Sequence, residues 1–242
     1  MKAYKHLLVS GCSFTSDGIG GLPPSLSSDG GCSFAYDTDV TAATANSWAG
    51  FLAQKLNVTS LVNTAAAGHG NILIANSILE CLNRFNYSST DTLVIVNISD
   101  PARFDAPCSY DHPEVDNKNI PWDYTLLPYS YMNRNNKIIK DIEKNIGIDQ
   151  IEYLTTNYVE FLFTLLENRN IDFYFLIMND FNNSYLTTVF DKFDRHFIKL
   201  NPGISMIQFC QQTNSTVSAD DYHPNIVGHK QIANILYTHI NQ

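Results

Sequence analysis

Residues 92–97, Thr-Leu-Val-Ile-Val-Asn, carry the clearest strand signal in the chain. Residues 7–10 make another short apolar run, which stops at Gly11, and residues 171–178 make a third. A strand that is apolar at successive positions offers no face to water, so it belongs inside a parallel sheet covered on both sides. Helical stripes separate these runs. Trp48, Phe51, Leu52 and Leu56 fall at i, i+3, i+4 and i+8, with Asn46 or Ser47 as the cap. Ile72, Ala75, Leu79 and Leu82 share one face of a helix over 71–85, and residues 150–167 give another. A brief strand at 60–63, a polar helical region at 184–198, a last strand at 204–209 and a last helix at 224–240 complete the pattern.

Five strands alternating with helices predict a parallel sheet, and right-handed crossovers turn it into a three-layer α/β/α sandwich. The 242 residues suit a single α/β domain over 1–242. Two segments interrupt it. Residues 15–45 are rich in Gly, Ser, Thr, Asp and Pro and read as a long loop. Residues 101–140 hold many Pro, Asn, Asp and Tyr without a sustained period and read as an insertion or lid.

Composition narrows the partners. The net charge of −9, with no run of Lys or Arg, would repel a phosphate backbone, so nucleic acid is not an expected partner. No apolar run is long enough to span a bilayer, and the apolar core at 7–9 is too short for a signal peptide, so a cytoplasmic or otherwise soluble chain is expected. The five cysteines, Cys12, Cys32, Cys81, Cys108 and Cys210, are odd in number and form no CxxC pair. They read as free thiols in a reducing compartment, and neither a disulfide framework nor a zinc site is expected.

Parallel α/β sheets bind ligands at the carboxyl ends of their strands. The first run ends in Ser10-Gly11-Cys12-Ser13-Phe14-Thr15, where a tight turn would expose the Ser13 hydroxyl. Gly31-Cys32-Ser33-Phe34 repeats four of these residues without a preceding strand and reads as coincidence. Near the C-terminus, Asp220-Asp221-Tyr222-His223-Pro224-Asn225 sets an acid three residues before a histidine, with Pro224 in the first turn of the following helix. An imidazole oriented by a carboxylate is the base that a serine nucleophile requires. His229 reads as structural and Asp221 as a solvated carboxylate. Too few ligands are suitably spaced for a metal cluster. After the 60–63 strand, Asn63-Thr64-Ala65-Ala66-Ala67-Gly68 brings small residues whose backbone N–H groups could meet a developing oxyanion. After 92–97, Asn97 and Ser99 would point to one side if the strand continued, and either could donate a hydrogen bond.

With these residues in this order the chain resembles the SGNH/GDSL hydrolases, a family named for Ser, Gly, Asn and His in four blocks on a flavodoxin-like sandwich. Gly11-Cys12-Ser13-Phe14-Thr15 resembles the first block, with Cys12 where the family often has Asp. Gly68 matches the second-block glycine. Asp220, His223, Pro224 and Asn225 match the last block closely. The third block departs, because Ser99 stands where the family has Asn and Asn97 lies two residues earlier. The resemblance implies hydrolysis of a carboxylic ester through an acyl-enzyme, without metal or cofactor. Ser13 is then the nucleophile, His223 the base and Asp220 its partner. The oxyanion donors are the Ser13 and Gly68 amides with Ser99 or Asn97. An acyl group on a carbohydrate is the expected substrate, and a catalytically silent glycan- or protein-binding domain is the competing reading. A nucleotide binder would need a phosphate loop, and Gly11–Thr15 lacks the GxxxxGK[ST] form.

Overall fold

The structure is a computed structural model that describes residues 2–15, 46–65, 69–85, 87–107, 124–127, 147–180, 184–202 and 204–242. The elements run β1 (His6–Ser10), α1 (Trp48–Leu56), β2 (Ser60–Asn63), α2 (Asn71–Phe85), β3 (Thr92–Ile98), β4 (Phe104–Pro107), β5 (Tyr124–Leu127), α3 (Ile148–Asn168), β6 (Asp172–Ile177), α4 (Ser184–Lys192), a 3₁₀ turn at Asp194–His196, α5 (Met206–Gln212) and α6 (Ile226–Ile240).

β2, β1, β3 and β6 lie side by side in that order, all parallel. Strand alternation sorts their side chains into two cores. Leu7, Val9, Leu93, Ile95 and Leu176 pack with Trp48 and Leu52 of α1 and Ile232 and Leu236 of α6. Leu8, Val94, Val96, Phe173 and Phe175 pack on the other face with Ile74 and Ile78 of α2 and Val159 and Phe163 of α3. Every residue of β3 is buried. The sandwich is therefore the expected α/β/α architecture with a parallel sheet.

The fifth strand expected at 204–209 is instead the start of α5. Ser205 caps that helix by accepting the Gln208 N–H at 3.2 Å, and the Ile204 N–H donates to Gln208 Oε1 at 3.0 Å. This reciprocal pair satisfies amides that a strand would have left to a neighbour. Met206, Phe209 and Cys210 are its buried residues, a helical spacing. Beyond β6, among the described residues, an isolated parallel bridge joins Phe175 and Phe197.

The other differences are local. Of the two cap candidates, Ser47 caps α1. Asn225 caps α6 by accepting the Val227 and Gly228 amides, so Pro224 lies before that helix rather than in its first turn. Within the segment read as an insertion, β4 and β5 pair antiparallel. Most of 101–140 lies outside the described residues, as do most of 15–45, the copy of Gly-Cys-Ser-Phe at 31–34, and Gly68. No helix among the described residues is long and apolar enough to cross a membrane.

Candidate active site

β1 delivers Ser13 to the carboxyl edge of the sheet. The chain turns at once, with the Thr15 N–H donating to the Cys12 carbonyl at 2.9 Å. Gly11 is required for this turn, since a Cβ there would lie 2.5 Å from Thr15 Oγ1 and 2.9 Å from Asn97 Cβ. The Cys12 side chain goes down into the core, 3.4 Å from Met178 Sδ, and burial raises its thiol pKa. Cys12 therefore anchors the turn as an inert apolar group. Ser10, Ser77 and Thr64 tie the end of β1 to α2 through buried hydroxyls, with Ser10 Oγ and Ser77 Oγ 2.8 Å apart and Thr64 Oγ1 2.9 Å from Ser77 Oγ.

His223 arrives from the other end of the chain on a loop closed at its base by a Thr216–Pro224 bridge. The Val217 N–H donates to the His223 carbonyl at 2.9 Å, and the Asn225 N–H donates to the Ser215 carbonyl at 2.8 Å. His223 Nε2 then lies 2.7 Å from Ser13 Oγ. Its Nδ1 lies 2.5 Å from Asp221 Oδ1, which also accepts the His223 backbone N–H at 3.1 Å.

The carboxylate on the ring is thus Asp221, and the expectation for Asp220 is corrected. Asp221 Oδ1 closes a turn on the His223 N–H two residues on, which brings the same carboxylate to Nδ1 of that ring. Asp221 and His223 turn inward together, and Asp220 and Tyr222 are exposed. The Asp221 amide also donates to Ser218 Oγ at 3.1 Å, fixing the loop on that side. Burial raises the Asp221 carboxyl, but hydrogen bonds from the His223 ring and amide, with the ring's charge, outweigh it and leave the pKa below the ordinary value.

His229 holds the structural place expected of it. It is 1% exposed, and its Nδ1 accepts the Trp48 backbone N–H at 3.1 Å. Burial lowers its pKa to about 4, with a further contribution from His223.

The two third-block candidates are both fully buried. Asn97 spends its amide on Thr15 Oγ1 at 2.9 Å, bracing the Ser13 turn from beneath. Ser99 is gripped through its backbone, with its N–H on Asn71 Oδ1 at 2.9 Å and its carbonyl on Asn71 Nδ2 at 3.2 Å. That places the Asn71 amide on the backbone of Ser99.

Phe14, Arg103 and Asp105 are the residues of this edge that the sequence reading left unassigned. Phe14 lies against the His223 ring. The Arg103 guanidinium reaches the His69 carbonyl at 3.2 Å and Met178 Sδ at 3.9 Å. The buried Asp105 accepts the Gly70 and Leu73 amides. The apolar position after Ser13 was available as a signal for Phe14, whereas Arg103 and Asp105 sit in a segment without periodicity.

No protein-family model matches the chain, and no curated protein matches it in sequence. Solved structures do. A catalytic mutant of Axe2, an acetylxylan esterase from Geobacillus stearothermophilus, superposes with a TM-score of 0.53 at 14% identity, over 99% of this chain and 96% of that one. The fold is that of the SGNH hydrolases. The psychrotrophic esterase EstA from Pseudoalteromonas sp. is similar with a TM-score of 0.49 at 9% identity, over 98% of this chain and 97% of that one. At these identities the SGNH likeness concerns the fold, and the chemistry has to be argued from the residues of this chain.

Proposed function

We propose that the chain is a serine hydrolase that cleaves carboxylic esters through an acyl-enzyme. The observation that carries this is the hydrogen-bonded line from Ser13 Oγ through the His223 ring to Asp221. Asp221 accepts a hydrogen bond from Nδ1–H, which leaves Nε2 as the lone-pair nitrogen facing the serine. Ser13 Oγ attacks the ester carbonyl carbon while its proton moves to Nε2. The resulting imidazolium is stabilised by Asp221, and it returns the proton to the departing alcohol oxygen as the C–O bond breaks. Water then loses a proton to Nε2 and attacks the acyl carbon, and that proton goes back to Ser13 as the carboxylic acid leaves.

The tetrahedral oxyanion needs donors held in place before reaction. In this reading they are the backbone N–H groups of Ser13 and Gly68. Asn97 and Ser99 act from below, Asn97 by shaping the serine turn and Ser99 as the backbone grip of Asn71. An O-acyl group on a carbohydrate is the proposed substrate, in keeping with the SGNH fold shared with an acetylxylan esterase. The test is a series of p-nitrophenyl esters of increasing chain length alongside acetylated sugars. Hydrolysis of short acyl chains by the wild type and its loss in Ser13→Ala are expected. Binding of the sugars without any turnover would leave the silent binding domain instead.

A further inference from the structure

Ser13 and Phe14 are the two central residues of the turn that the Thr15 N–H closes on the Cys12 carbonyl at 2.9 Å. Both of them meet His223, Ser13 through the 2.7 Å contact of Oγ with Nε2 and Phe14 through its ring. A rotation of this turn would therefore shift both contacts with the base together. Thr15 closes the turn, and it is itself held from two sides. β1 lies between β2 and β3 in the sheet, with Val9 level with Asn63 and Ser10 level with Val96. Asn63, the last residue of β2, donates from Nδ2 to the Thr15 carbonyl at 3.3 Å. Asn97, near the end of β3, donates from Nδ2 to Thr15 Oγ1 at 2.9 Å. The Asn63 side chain is steadied in turn by the Ala65 N–H, which donates to its Oδ1 at 3.1 Å. Thr15 is fully buried.

Every polar group of Thr15 is thus engaged, the N–H within the turn, the carbonyl by β2 and the hydroxyl by β3. Bonds in three directions fix both the place and the orientation of a residue, which one bond cannot. The consequence falls on the residue two positions earlier, because a nucleophile displaced by about 1 Å can lose about 10²-fold in rate. We infer that Thr15 is a positioning residue, the point at which Asn63 and Asn97 brace the turn that aims the Ser13 hydroxyl at His223. Asn97 then acts through Thr15, so removing either end of their bond has the same effect. This inference rests on the hydrolase reading above.

The test compares wild type, Thr15→Val, Thr15→Ser, Asn97→Leu, the Thr15→Val/Asn97→Leu double variant and Asn63→Asp in the full chain. The measurements are p-nitrophenyl acetate kinetics, thermal melts and the rate of Ser13 labelling by a fluorophosphonate. Thr15→Val keeps the shape of the side chain and removes the hydroxyl, whereas Thr15→Ser keeps the hydroxyl. Asn63→Asp keeps the acceptor for Ala65 and removes the donor to Thr15. Thr15→Val is expected to lower kcat by about 10- to 100-fold with KM changed by less than about threefold, and to slow labelling in step. Thr15→Ser should bring kcat back to within about threefold of wild type, a rescue that a general loss of packing would not give. Asn97→Leu should lose about as much as Thr15→Val, and the double variant no more than either alone, because all three remove one bond. Losses that multiply in the double variant, an unchanged kcat in a folded Thr15→Val, or a Thr15→Ser as impaired as Thr15→Val overturns the bracing role while leaving the hydrolase intact. If Thr15→Val does not melt cooperatively, Asn63→Asp is read in its place, where a kcat lower by at least about fivefold is expected and an unchanged one overturns the role. A wild type that neither turns over the ester nor labels at Ser13 overturns the hydrolase reading itself, and the role of Thr15 with it.

Discussion

Phe14 stacks on His223, with ring centroids 4.3 Å apart and planes 24° apart. The residue after Ser13 thus supports the ring that bonds to Ser13, so one turn sets both ends of the hydrogen bond. Stacked aromatic pairs contribute about 0.5–1.5 kcal/mol beyond their area. Phe14→Leu keeps an apolar side chain and loses the stack. It is expected to lower kcat by roughly 3- to 10-fold, the same free energy expressed as a rate. Steady-state kinetics check this, and an unchanged kcat would show that the loop alone orients His223.

The two adjacent aspartates separate cleanly. Asp221→Asn keeps the shape but presents an amide that no longer favours the Nδ1–H tautomer, and a loss of up to about 10⁴-fold in kcat is expected. Asp220→Asn alters an exposed side chain and should stay within about twofold of wild type. Ester kinetics on the pair decide it, and the opposite ranking would return the role to Asp220.

Acid stability follows from two buried histidines. Burial lowers His69 to about 4, assisted by the Arg103 charge, and burial lowers His229 to about 4, assisted by His223. A group depressed in the folded state takes up its proton more readily when unfolded. Stability from these residues is therefore present above about pH 6.5 and is lost as pH falls toward 4. Asp105 works in the opposite sense, because burial raises it to about 6 against its amide hydrogen bonds and Arg103. Two histidines against one carboxyl leave a net loss on acidification. Thermal melts from pH 7.5 to 5 should show a falling Tm, and His229→Gln, which can still accept the Trp48 N–H, should show a shallower fall.

Much of this was legible in the sequence wherever a single physical signal dominated. β3 is apolar at nearly every position and could only be a central strand, and α2 was expected over 71–85, the span it occupies. The serine–histidine pairing was legible because parallel topology brings strand ends to one edge. Short segments were harder. Residues 204–209 make a run too short for periodicity to separate strand from helix, and the Ser205–Gln208 cap decided it. The choice between Asp220 and Asp221 depended on the turn that Asp221 closes on the His223 amide, which the spacing alone does not contain. Arg103 and Asp105 act across some thirty residues on one peptide, and contacts of that range leave no periodic trace.

The central claim is that Ser13 is a nucleophile activated by His223. It is tested most directly by treating the folded chain with a fluorophosphonate and locating the adduct by peptide mass spectrometry. One adduct per chain, on the peptide containing Ser13, is expected in the wild type, with none in Ser13→Ala and labelling slowed by at least about 10²-fold in His223→Ala. No adduct, an adduct on another serine such as Ser33, or equal labelling of the His223→Ala variant would contradict the account.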